Sequence, residues 1–129
     1  MQLAANIDRS MLCLKQLVAG TPYSTQKKEN FVFEEHFRFI LKNIFYLCGF
    51  KVSEEQQMSA GRIDLVVETS ENIYILELKM SDNGGVVSAS HQIVSRHYAD
   101  AYAASSKPVI SLALEFDRQS RGLMDWKKL

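Results

Sequence analysis

The sequence predicts a single α/β domain with a mixed β-sheet flanked by α-helices, and three observations predict it. Apolar residues recur with a helical period in two early segments, shift to the two-residue period of strands after about residue 50, and return to a helical period before a last apolar strand. With 129 residues, 47% of them hydrophobic, the chain is long enough to bury one core without metal or disulfide staples. It contains no internal repeat and no low-complexity segment.

From Asp8 to Ala19 the positions Met11, Leu12, Leu14, Leu17 and Val18 have helical spacing, and Gly20 and Pro22 supply the stop. From Asn30 to Cys48 a second helix carries Phe33, Phe37, Ile40, Leu41, Ile44, Phe45 and Cys48 on one stripe, with Gly49 where a helix end favours glycine. Phe50 and Val52 open a polar strand, Arg62 to Glu68 reads as a second and Ile73 to Met80 as a third, with the turn around Glu71-Asn72. Asp82-Asn83-Gly84-Gly85 breaks the chain as a flexible connection, and the alanine-rich stretch Val86 to Ser105 reads as one helix. Pro108 to Phe116 reads as a buried strand, and an edge strand is expected around Trp126. Residues 1–30 form a helical lead-in and 31–129 the core of the domain.

Acidic and basic side chains number 15 each, so the chain lacks the positive excess that holds nucleic acid nonspecifically. Contact with DNA is therefore expected to be local, or to be helped by a metal or a partner. Cys13 and Cys48 have no metal or disulfide spacing and read as buried thiols. No apolar run approaches the roughly 20 residues of a membrane helix, and no signal peptide is recognisable, so a soluble cytoplasmic protein is expected. His36, His91 and His97 lack metal-site spacing and receive no catalytic role.

Alternation along the third strand places Ile73, Ile75, Glu77 and Lys79 on one face and Tyr74, Leu76, Leu78 and Met80 on the other. Asp64 shares a face with Val66 on the preceding strand, and a tight connection would bring it close to Glu77. Two neighbouring carboxylates repel, and a hard divalent cation relieves that repulsion. With Lys79 beside them the set suits metal-assisted attack of water on a phosphodiester. The plainer alternative is an ordinary Glu77–Lys79 pair at a strand end, with Asp64 solvated near the turn.

Gly61-Arg62-Ile63-Asp64, followed after a turn by Ile75-Leu76-Glu77-Leu78-Lys79, resembles the signature of the PD-(D/E)XK nuclease superfamily, with Ile63 where the motif's name has proline. Thr21-Pro22-Tyr23, Leu47-Cys48-Gly49-Phe50, Gln92-Ile93, Tyr98-Ala99-Asp100-Ala101-Tyr102 and Asp125-Trp126-Lys127 resemble one bacterial branch of it, in which the nuclease-like domain commonly follows an ATPase-like domain. The resemblance implies a restriction-endonuclease-like core and Mg2+ or Mn2+ held by Asp64, Glu77 and the Leu78 carbonyl, with Lys79 assisting the water. The superfamily usually adds an acid from the first core helix. At about 100° per residue, Glu34 borders the apolar stripe while Glu35 points to solvent, so Glu34 is the candidate ligand or base.

Gln92 matches a position where related nucleases carry glutamine, and Arg96, four residues on, would share its helix edge and face the site or a phosphate. Tyr98 and Tyr102 read as packing residues first and as candidate stacking contacts for nucleic acid second, with Tyr98 the nucleic-acid contact of the two. No phosphate-binding glycine loop is present, so an ATPase-like partner would lie outside this chain. The resemblance thus implies a metal-dependent nuclease that hydrolyses phosphodiester bonds, with DNA the expected substrate and the choice between DNA and RNA left open by the sequence. The alternative is a catalytically silent nuclease-like module that binds nucleic acid or assembles with an ATPase domain.

Overall fold

The computed structural model describes residues 7–19, 30–58, 61–119 and 122–129. Helices α1 (Ile7–Ala19) and α2 (Asn30–Leu47) precede a meander of β1 (Lys51–Met58), β2 (Gly61–Glu68) and β3 (Ile73–Met80). Helix α3 (Gly85–Ser95) and a 3₁₀ turn (Tyr98–Tyr102) then lead to β4 (Val109–Asp117) and β5 (Gly122–Lys128). The five strands lie in chain order, antiparallel throughout except for β3 and β4, which are parallel and joined across α3. A mixed sheet with helices on both faces is the predicted fold class.

One face of the sheet packs against α1 and α2. Met11, Leu14 and Val18 from α1 and Phe37, Ile40, Leu41 and Phe45 from α2 bury Leu65, Val67, Tyr74, Leu76, Leu78 and Met80. Phe37 stacks on Phe116 of β4 at 4.6 Å between ring centroids, and the Trp126 indole donates to Asp8 Oδ1 at 2.8 Å, tying β5 to α1. The opposite face carries a smaller cluster, with Val66, Ile73, Ile75 and Ala113 under Ala89, Ile93 and Tyr98. Both faces of β3 are thus covered, which makes it the central strand. Each fully buried apolar side chain contributes about 1.5–3 kcal/mol, and the four on the α2 side hold the strand in place although it carries Glu77 and Lys79. Among the described residues, no helix is long and apolar enough to cross a membrane.

The turn between β2 and β3 closes through Thr69, whose amide donates to the Asn72 carbonyl (2.9 Å) and whose Oγ1 accepts from the Asn72 amide (3.1 Å). Gly49 ends α2 in the left-handed conformation, as its position predicts. Thr21-Pro22-Tyr23 lies outside the described residues.

Three expectations need correction. The helix predicted over Val86–Ser105 stops at Ser95, because His97 adopts a left-handed backbone and turns the chain into the 3₁₀ segment that buries Tyr98. Burial of that ring outweighs the helix preference of the alanines around it. Cys13 and Cys48 are exposed. Cys13 is turned about 100° from Leu14, off the buried stripe of Ser10, Met11, Leu14 and Val18, and α2 ends before Cys48, so that residue leaves the helical stripe that would have buried it.

Nor is Gly84-Gly85 a loose connection. Both residues have positive φ, and the amide of Val86, at the start of α3, donates to Glu115 Oε1 at 2.9 Å while Ser81 Oγ donates to Oε2 at 2.8 Å. A Cβ on Gly85 would stand 2.0 Å from Glu115 Oε1. The carboxylate of β4 thus seats the positive end of α3 and excludes any side chain at Gly85. Gly85→Ala is expected to destabilise the protein by about 1–3 kcal/mol. Gly49→Ala, where a Cβ meets nothing within 4 Å, should cost only about 1 kcal/mol from its left-handed backbone. Urea unfolding of the two variants side by side checks this, and equal losses would show that Glu115 yields freely.

Candidate active site

The register of β2 and β3 brings the two motif acids together. The strands pair from Glu68 with Ile73 to Leu65 with Leu76, and the next pair in sequence would be Asp64 with Glu77. The pairing stops at that step. Asp64 Oδ2 instead accepts the Leu78 amide at 2.9 Å, so a side chain takes over a ladder hydrogen bond. Strand β2 continues along β1 as far as Gly61 and so diverges from β3 at Asp64. The side-chain alternation breaks there as well, because Ile63 joins Val66 in the second cluster while Leu65 and Val67 point into the first. The acid pair occupies the fork between the diverging strands.

Glu77 is 2% exposed. Its Oε1 accepts from Gln92 Nε2 at 2.5 Å, whereas Oε2 is buried with no hydrogen-bond partner among the described residues. Burial pushes the Glu77 carboxyl up to about 9; the charge of Asp64 adds to the rise, while Lys79 and the Asp64 amide oppose it. Asp64 is raised as well, by burial first, against the pull of the Leu78 amide, Arg38 and Lys79. Lys79, two residues along β3 and only partly covered, thus draws both carboxyls towards their ionised form.

Glu34 flanks this pair from α2. It is partly buried, accepts from Asn83 Nδ2 at 3.5 Å, and its charge adds to the rise at Glu77. Among the described residues no three His, Cys, Asp or Glu side chains gather into one metal-holding group. Asp64 and Glu77 are therefore the central acids, and Glu34 stands beside them. Glu35 is exposed, as its helical angle predicts, and accepts from Arg38 Nη2 at 3.0 Å.

Gln92 lies on α3 and donates to both Glu77 Oε1 and the Tyr98 hydroxyl, the latter at 3.1 Å. Arg96 Nη1 donates to the same hydroxyl at 3.3 Å. The helix edge expected to join Gln92 and Arg96 is replaced by this shared tyrosine, since Arg96 caps α3 rather than continuing it. The Tyr98 ring is buried in the core and offers no face to a base, which corrects its reading as a stacking contact. Its hydroxyl instead orients Gln92.

Two residues at the site were not singled out from the sequence. Arg38 places Nη1 3.6 Å from Asp64 Oδ1, and its spacing of four from Glu34 was the available signal. Glu115 fixes α3 and hence Gln92; a glutamate in an otherwise apolar strand was its only sequence mark.

An acid pair in the fork of two central strands, with a lysine two residues beyond the second acid, defines a nuclease-like class of α/β domain. The chain belongs to the PD-(D/E)XK nuclease superfamily, whose family model matches residues 32–126. Members of that superfamily generally use divalent metals. The chain is also similar to an uncharacterized protein of the vnfD 5′ region of Azotobacter chroococcum mcd 1, with 30% identity over 92 residues. The match covers 71% of this chain and 18% of that protein, so the chain spans only a small part of its relative's length.

The raised carboxyls link stability to pH. Unfolded Asp and Glu ionise near about 4, and Glu77 in the folded chain does so at about 9. Between those values the folded state binds more protons than the unfolded, so stability falls as pH rises. The urea midpoint of EDTA-treated protein should drop from about pH 5 to about pH 8, and Glu77→Gln should flatten the profile. A wild-type midpoint that rises over this range would show that Glu77 ionises without penalty.

Proposed function

We propose that this domain is a divalent-metal-dependent nuclease that hydrolyses phosphodiester bonds in DNA. The observation that carries the reading is the buried Glu77 Oε2, which has no hydrogen-bond partner among the described residues and sits beside a second raised carboxyl with Lys79 on the same strand face. A buried carboxylate oxygen without a donor is costly, and a hard cation with oxygen ligands suits it. The residues fit Mg2+ or Mn2+, with Asp64 and Glu77 as side-chain ligands, the Leu78 carbonyl between Glu77 and Lys79 as a backbone ligand, and Glu34 as an outer ligand or base.

When bound, such an ion would polarise a phosphoryl oxygen and lower the pKa of a coordinated water. The protein's own groups do the rest. Gln92 holds Glu77 Oε1, which leaves Oε2 as the oxygen for a cation. The Leu78 amide holds Asp64 Oδ2 and leaves Oδ1 towards Arg38. Lys79 presents an ammonium that orients the attacking water and stabilises the charge developing on phosphorus oxygens. Arg96, exposed at the end of α3, contacts a backbone phosphate away from the scissile bond. An ATPase-like domain working with this one is part of the proposal and rests on the resemblance to the bacterial branch alone; the Azotobacter relative shows only that such a chain can extend well beyond the matched region.

Supercoiled plasmid and single-stranded DNA incubated with Mg2+ or Mn2+ should be cut by the wild type. Lys79→Ala and Asp64→Ala should each lose about a hundredfold or more while keeping the wild-type circular dichroism spectrum. Cutting that survives both substitutions would remove the fork as the active site. Folded, metal-binding wild type that cuts neither DNA nor RNA would favour a silent module.

A further inference from the structure

Lys79 has an acidic neighbour that the fork does not use. In the parallel ladder of β3 and β4 it stands in register with Glu115, and strands so paired lie about 4.8 Å apart with partners on one face. The flexible four-carbon stem of a lysine spans that distance, so an ion pair across the strands is the arrangement their charges favour. It does not form. Among the described residues Lys79 takes part in no ion pair, and its charge acts on Glu77 of its own strand and on Asp64 of β2, away from β4.

Both oxygens of Glu115 are occupied by other donors. Oε1 accepts the Val86 amide at 2.9 Å, and Oε2 accepts the Ser81 hydroxyl at 2.8 Å. The first donor is backbone, and the α3 side leaves the carboxylate no room to move, because even a Cβ on Gly85 would collide with Oε1. The second is a side chain two residues beyond Lys79. Met80 between them is extended, so Ser81 continues the strand alternation and falls on the face that carries Lys79 and Glu115. A short hydrogen bond from a hydroxyl to a carboxylate is among the stronger ones. With both oxygens satisfied, Glu115 gains little from a third partner whose long side chain would have to be immobilised. Without the hydroxyl, Oε2 would be a half-buried acceptor lacking a donor, and the ammonium in register beside it would supply one.

We propose that Ser81 is a positioning residue for Lys79: by donating to Glu115 Oε2 it keeps that carboxylate from capturing the ammonium, which stays available to a phosphate of the nucleic-acid substrate. The consequence for substrate deepens the nuclease reading and rests on it, whereas the hold of Ser81 on Glu115 and its effect on Lys79 stand apart from it.

The test is a set of variants in which a second loss repairs the first. In metal-free protein the mobility of the Lys79 ammonium is read by 15N NMR, its signal identified by its absence in Lys79→Arg. Cutting of a labelled duplex oligodeoxynucleotide in Mg2+ is read alongside. Ser81→Ala should order the ammonium and slow cutting about tenfold. Ser81→Thr keeps the hydroxyl and should match the wild type in both readings. Adding Glu115→Gln to Ser81→Ala removes the capturing charge while the new amide oxygen still accepts from Val86, so both readings should return towards wild type. Were the role of Ser81 merely structural, the two losses would add instead.

If Ser81→Ala does not fold, Ser81→Cys, whose thiol donates only weakly, replaces it with the same directions expected. An ammonium as mobile in Ser81→Ala as in the wild type overturns the proposal, as does a double variant no better than Ser81→Ala. Wild type that cuts no nucleic acid while the NMR pattern holds overturns the nuclease reading and upholds the hold of Ser81 on Glu115, so the two failures are told apart.

Discussion

A carboxyl group on the most deeply covered strand of the sheet sets the terms for everything around it. Glu77 cannot turn away from its position, because its neighbours Leu76 and Leu78 are committed to the opposite core and a slip of one residue would drive the acid into that core instead. An ionised carboxylate in such a place demands compensation. The chain supplies part of it through Gln92, the Asp64 amide and Lys79, and among the described residues one oxygen has no donor. Placing Asp64 alongside makes the demand larger. Two acids in one buried fork are a poor way to stabilise a protein and a sensible way to hold a cation.

The partial compensation depends on α3 lying where it does. Both ends of that helix are fixed by contacts outside it. At the start, Glu115 of β4 accepts the Val86 amide and fills the space a side chain at Gly85 would need. At the end, the left-handed turn at His97 folds Tyr98 back beneath the helix, where its hydroxyl meets Gln92 and Arg96. Gln92, between these two ends, has little freedom to leave Glu77. Because β3 and β4 are parallel, the crossover must run the length of the sheet, so the connection that fold topology requires also carries the residue that orients the acid.

The sheet side of this arrangement was legible in the sequence and the helix side only in part. Period-two alternation fixed which face of β3 carries Glu77 and Lys79, and a short turn before Ile73 was enough to set Asp64 against Glu77. The two motif acids follow from local rules, as does the border position of Glu34. What was not legible depends on contacts distant in sequence. The alanines after Ser95 favour helix, and only burial of Tyr98 against β-strand residues overrides them. Gly84-Gly85 reads as a loose link until Glu115, some thirty positions later, is seen against it. Arg38 looks like an ordinary helix cation until β2 diverges towards it. Cys48 illustrates the same limit, since one fewer residue of helix moved it from the stripe to the surface.

Charge distribution connects the site to the substrate proposed for it. The chain is neutral overall, so no long-range field draws a polyanion in. Near the fork, Glu34, Glu35 and Asp64 stand beside Arg38 and Lys79, and burial holds Glu77 towards its protonated form, so the site offers phosphate no positive excess of its own. On the proposed reading, affinity for nucleic acid then depends on the site's acids being occupied by cations. A domain of this kind would bind its substrate weakly and locally in the absence of metal, and Lys79 and Arg96 would matter for where the phosphate sits more than for how strongly the chain as a whole attracts it.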